Sequence, residues 1–220
     1  MTIELHALCG YPAYKGYNDA DFQARNLVKS LKRQSFNGYS LIRGQDGVER
    51  RVDAESPDAA LRIFTAWALP VLNSLGLGRC VLVPIPSSQH VERGQQFTAN
   101  RLAEAINVRA DGAYVVEPCL TQREAVLASS KGGSRKYVDI RENLVCHSEF
   151  RGERVVLVDD VCTSGNHLKA SAEILRRAGA EVGHAICAGR TVWERPPNIF
   201  SIPVENVDWD KEAGGLFGSL

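Results

Sequence analysis

Residues 155–168, VVLVDDVCTSGNHL, constrain this chain more than any other stretch. Four apolar residues run into two adjacent carboxylates, Asp159 and Asp160, and then into a turn of small polar residues that opens a helical pattern. A short uninterrupted apolar run bounded in this way reads as a strand buried on both faces, as in a parallel sheet covered by helices. Ligands of such sheets bind beyond the carboxyl ends of the strands, where this turn would lie. There Thr163, Ser164, Gly165 and Asn166 would present backbone N–H groups, hydroxyls and the positive end of a helix dipole, a pocket for phosphate. Ionised Asp159 and Asp160 only accept hydrogen bonds, so beside that pocket they suit sugar hydroxyls or a hydrated magnesium ion. Phosphate on one side and a diol on the other describe a ribose 5-phosphate.

Other segments extend the α/β pattern. DAALRIFTAWALPVLNSLGLG, after Pro57, predicts a helix that bends near Pro70 and stops at the glycines. CVLVPIP (80–86), AYVVEP (113–118) and GHAICAG (183–189) read as strands, with helical spacing over 98–106 and in KASAEILRRAGA (169–180). Residues 1–56 are polar and turn-rich around an amphipathic stretch at 22–31, and read as an added N-terminal element or hood. Residues 57–193 would form the core and 194–220 a tail containing a strand-like NIFSIPV and the acidic-aromatic VENVDWDKE. SSKGGSRKY (129–137) combines paired glycines with Lys131, Arg135, Lys136 and Tyr137, the composition of a closing lid over a polyphosphate or of an exposed connector.

The 155–168 segment resembles the 5-phosphoribosyl 1-pyrophosphate (PRPP) signature of type I phosphoribosyltransferases, and within that superfamily the chain is similar to the ComF-type competence-protein, amidophosphoribosyltransferase-like family. The matching pieces are LVKSLKRQ (27–34), LVPIP followed by Arg93-Gly94, LAEAI (102–106), RENL (141–144) and VVLVDDVCTSG. That family's N-terminal four-cysteine zinc module is absent, and RGQQF replaces its usual RGFNQ. The resemblance implies a type I phosphoribosyltransferase fold: a central, mostly parallel sheet with helices on both faces and a small hood. It implies that Asp159 and Asp160 hold the ribose hydroxyls and Mg2+ through water, and that Thr163 to residue 167 cradle the 5-phosphate. Ser87, Ser88 and Arg93 would meet the pyrophosphate, under a lid carrying Lys131, Arg135 and Lys136. The implied reaction passes phosphoribosyl from Mg-PRPP to a nitrogen acceptor, with pyrophosphate released. His167 departs from the Thr that many members carry. Thr163 stands where members acting on 6-oxopurines have Asp, which argues against that acceptor class. Base recognition would fall to residues 1–56 or to the tail around Trp209 and Asp210.

Alternatives come from other classes. VLVDD also fits the first strand of response-regulator receivers, but only 60 residues follow Asp160. Neither G-x-x-x-x-G-K-[ST] nor G-x-G-x-x-G occurs. A non-catalytic PRPP-binding or regulatory protein, including a DNA-uptake accessory that contacts single-stranded DNA through KSLKR (29–33), would carry the same segment. Charge weighs against nucleic acid, since 26 Lys+Arg balance 26 Asp+Glu in 220 residues. No stretch is long and apolar enough for a membrane span, and no leader pattern opens the chain, so a cytoplasmic protein with no membrane partner is expected. Six cysteines stand singly, without a Cys-x-x-Cys pair, and read as reduced, mostly buried thiols. The oligomeric state stays open, a dimer included.

Overall fold

The computed structural model describes residues 2–125 and 136–208. Strand β1 (Thr2–Pro12) leads into helix α1 (Asp19–Leu31), a hairpin of β2 (Tyr39–Arg43) and β3 (Glu49–Asp53), helix α2 (Pro57–Ser74) and strand β4 (Val81–Pro84). Helix α3 (Thr98–Arg109), strands β5 (Val115–Val116) and β6 (Leu120–Gln122), helix α4 (Tyr137–Asn143) and strand β7 (Leu144–Cys146) follow. The described chain closes with β8 (Arg154–Cys162), α5 (Asn166–Arg177), β9 (Glu181–Val192) and β10 (Glu205–Asp208).

Six strands make one sheet in the order β10-β1-β9-β8-β4-β5. All its pairs are parallel except β1 with β10. The mostly parallel α/β fold expected from the apolar strands is therefore present, and β8 shows why. Val156 and Val158 pack into one core with α1, α2 and α3, while Val155 and Leu157 enter the opposite core with Leu168, Ala172 and Leu175 of α5. A strand covered on both faces has no use for alternating polar positions.

The structure differs from the expected element bounds in several places. The boundary at 56/57 does not bound the sheet: β1, inside the expected N-terminal element, lies between β9 and β10. Its IELHALC carries Glu4 and His6, which hide an otherwise apolar strand in the sequence. Likewise 193/194 is no edge, because β10 pairs with β1. NIFSIPV forms no strand; Ile199 is buried and its carbonyl accepts from the Gly10 N–H at 2.7 Å, and pairing starts only after Pro203, at Glu205. The strand expected over 113–118 shortens to Val115–Val116 at the sheet edge. Helix α2 contains Pro70 and ends at Ser74, just before Gly76, so it stops at the glycines as expected.

Two features set up the carboxyl end of the sheet. At Gly189 of β9 a Cβ would meet Val28 Cγ2 at 3.2 Å and Tyr11 Cβ at 3.3 Å, so the missing side chain lets α1 settle against the strands. Arg190 makes a fork to Glu205 (2.6 and 2.9 Å) and also donates to the carbonyls of Cys162 (3.2 Å) and Thr163. It thereby ties β10 to the turn after β8. Glu205→Ala is expected to lower stability by about 2–3 kcal/mol, less than a fully buried ion pair because both partners keep some solvent. Urea unfolding measures this; a change within about 0.5 kcal/mol would mean that Arg190 finds other partners.

All six cysteines are free, five buried and Cys146 partly so, as expected. Among the described residues no helix is long and apolar enough to cross a membrane.

Candidate functional site

Strand ends β1, β4, β8 and β9 and the start of α3 surround a cavity of about 550 Å3. Asp159 and Asp160 reach its wall from β8, Thr163, Ser164 and Gly165 from the following turn, and His167 from the start of α5. Ser87 and Ser88 line the side after β4. The two halves read separately in the sequence thus meet in space. Arg93 is exposed and is not part of the cavity wall, nor is Asn166, which is nearly buried at the start of α5. Lys136 is the N-cap of α4 and lies outside the wall. Lys131, Arg135, Trp209 and Asp210 lie outside the described residues.

Gly165 is the N-cap of α5, at φ +78° and without a side-chain cap. The first-turn amides of a helix have no acceptor within it, and the Gly165 N-cap has no side chain to serve them. Ser164 Oγ accepts only a long contact, 3.4 Å, from the Asn166 N–H. Left-handed backbone costs an L-residue about 1–2 kcal/mol, and a Cβ on Gly165 would meet Val207 Cγ1 at 3.0 Å. Gly165→Ala is therefore expected to cost about 2 kcal/mol in urea unfolding at unchanged m. An unaltered midpoint would show that the turn can adopt another conformation. The second helix N-terminus at the cavity, α3, also lacks a side-chain cap, and its Thr98 and Ala99 line the wall. The spacing over 98–106 predicts this helix from sequence, but not its place at the cavity.

The carboxylates are not equivalent. Burial and then the neighbouring Asp160 charge push Asp159 up to about 8, against the pull of the Asp160 amide and of Lys32. Its Oδ1 accepts from the Asp160 N–H at 2.7 Å. Asp160 instead pairs with Lys32 Nζ at 2.8 Å. Burial draws the Lys32 ammonium down, but Asp160 reverses this and leaves it above its ordinary value. Lys32 caps the C-terminus of α1 and turns into the cavity, so KSLKR is not a wholly outward basic face. Burial lowers His167 despite Asp160, leaving a mostly neutral imidazole at pH 7. The Thr163 hydroxyl lies 2.9 Å from that of Thr191. Tyr11, Phe97 and Trp193 add aromatic surface, with Trp193 exposed.

Two adjacent carboxylates are a hard oxygen donor set of the kind Mg2+ takes, and a divalent ion beside them would relieve the repulsion that raises Asp159.

A family model for the phosphoribosyl transferase domain matches residues 121–215, the part that holds β8, the turn and α5. Among solved structures, UMP synthase from Leishmania donovani is 18% identical at a TM-score of 0.40, over 76% of this chain and 30% of that one. Adenine phosphoribosyltransferase from Thermoanaerobacter pseudethanolicus is 17% identical at 0.39, over 64% of this chain and 76% of that one. The enzyme of the same name from Rhodothermus marinus is 18% identical at 0.37, over 73% and 84%. No curated protein matches the chain.

Proposed function

We propose that the protein binds Mg-PRPP and transfers its phosphoribosyl group to a nitrogen nucleophile, releasing pyrophosphate. The observation that carries this reading is one cavity walled by two uncapped helix N-termini and, between them, an acidic pair. PRPP has the same plan: two anionic ends separated by a diol. Backbone N–H groups at the start of α5, with Ser164, would hold the 5-phosphate. Asp159 and Asp160 would accept from the ribose 2- and 3-hydroxyls and fix the ring as it gains positive character. Ser87, Ser88 and the start of α3 would face the pyrophosphate. Lys32, released from Asp160, is placed to add charge there. Magnesium held by Asp159 and Asp160 would supply further positive charge against the leaving group. The nucleophile's lone pair forms a bond to C1 while the C1–O bond breaks, and that electron pair departs on pyrophosphate.

The acceptor is a nitrogen compound that reaches C1 along the aromatic side of the cavity. A ComF-type assignment rests on the sequence pieces quoted above, one of which, LVKSLKRQ, supplies the cavity residue Lys32. Calorimetric titration with PRPP plus magnesium tests the binding step, with ribose 5-phosphate as control. Magnesium-dependent binding, followed by pyrophosphate release with ammonia or a nitrogen base, is the expected result. Binding without release from any acceptor would leave a PRPP sensor, and no binding by the folded protein would overturn the reading.

A further inference from the structure

Glu4 and His6 of β1 and His184 of β9 bring three potential ligand atoms within 4.8 Å of one another, at the end of the sheet opposite the cavity. At about 3.3 Å per residue, Glu4 stands roughly 23 Å along β1 from Tyr11 in the cavity wall. We propose that these three side chains form a site for a borderline divalent ion of the zinc class, separate from the Mg-PRPP pocket and independent of its assignment.

The strand geometry is built for this meeting. Glu4 and His6 are two residues apart and share a face of β1, and Glu4 is the register partner of His184. His184 reaches that face through a bulge: Val155 pairs with Val182 but Val156 pairs with His184, so Gly183 is an extra residue on β9. The result shows in the packing. Val182 and Ala185 enter one core although they are three positions apart, and Ile186, two beyond His184, enters the other. Bulges re-aim side chains in this way and are frequent at functional positions.

Chemistry points to a metal more than to an ion pair. His184 Nδ1 lies 3.3 Å and His6 Nε2 4.0 Å from the same oxygen, Glu4 Oε2. Both nitrogens are shielded from solvent, and neither makes a hydrogen bond. Buried imidazole nitrogens are ordinarily satisfied. One carboxylate oxygen faces two of them without satisfying either. In a tetrahedral zinc centre with bonds of about 2.0–2.1 Å, ligand atoms stand roughly 3.3 Å apart, close to the shorter spacing here. Two imidazoles with one carboxylate favour zinc-class ions over magnesium. Glu4 is half exposed, which gives the ion an entry path and leaves the remaining coordination position to water.

Titration of the metal-free full chain with ZnCl2 at pH 7.5 is expected to show one ion bound and a rise in Tm of about 5–10 °C at a hundredfold excess over Kd. His184→Ala and, as a milder change at an exposed position, Glu4→Gln should each weaken binding at least tenfold, whereas Asp160→Asn should leave it unchanged. Co2+ should bind without a thiolate charge-transfer band. No binding, equal binding by both site variants, or a thiolate band placing the ion on cysteine would each overturn the proposal.

Discussion

Asp160→Asn is expected to weaken Mg-PRPP binding by at least about 100-fold while the protein remains folded, and Asp159→Asn to do the same. Hydrogen bonds from sugar hydroxyls to ionised acceptors contribute about 1.5–3 kcal/mol each, and 1.4 kcal/mol is tenfold in affinity. Loss of charge beside the metal adds to that. Stability, by contrast, should move in opposite directions in the two variants. Asp159 has a folded-state pKa raised to about 8, so its contribution is complete below about pH 4 and is lost as pH rises toward 8. Replacing it with Asn removes that loss, and the variant should gain at least about 1 kcal/mol at pH 7.5, a cost carried for function. Asp160→Asn deprives Lys32 of its partner at 2.8 Å, and the half-buried ammonium makes that worth about 1 kcal/mol of destabilisation. Calorimetry and urea unfolding on the same samples separate the two effects. Unchanged affinity in both variants would remove the phosphoribosyl pocket, whatever the stabilities.

Legibility from sequence followed the range of the interactions. The strand, carboxylates and turn at 155–168 are contiguous, so one stretch encodes the fold class, the acid pair and the phosphate turn together. Lys32 reads in the sequence as one cation of a basic helix face. Its contact with Asp160 spans 128 residues and depends on α1 closing against Gly189, which no local pattern carries. Strand β1 was obscured for a related reason. Glu4 is exposed and His6 only partly buried, and they break the apolar run expected of an inner strand. Arg93 shows the converse, a residue adjacent in sequence to the loop that lines the cavity but pointing to solvent. Placement of the second uncapped helix, α3, came from tertiary packing alone.

Mg-PRPP affinity is expected to climb by about tenfold per pH unit from 6 toward 8 and to level off above 8. In the free protein burial and Asp160 hold a proton on Asp159, whereas binding needs the carboxylate as acceptor, so ligand and proton compete for it. Well below pH 8 only a fraction of molecules is competent, and that fraction falls tenfold with each unit. Lys32 is the one described cation among the groups acting on Asp159, and it draws the proton off. Lys32→Met should therefore move the plateau to higher pH as well as weakening binding, whereas a cation acting on pyrophosphate alone would leave the plateau in place. Phosphate groups of the ligand also titrate near pH 6. The Asp159→Asn variant isolates their share, because its residual pH dependence contains no Asp159. Titrations in two buffers of different ionisation enthalpy count the protons directly: close to one released per PRPP at pH 7 in the parent protein, and that release absent in Asp159→Asn. A flat profile in the parent between pH 7 and 8 would mean that Asp159 is already ionised in the empty pocket. Lys32 would then outweigh burial and Asp160 together, and the acid pair would bind its ligand without exchanging a proton.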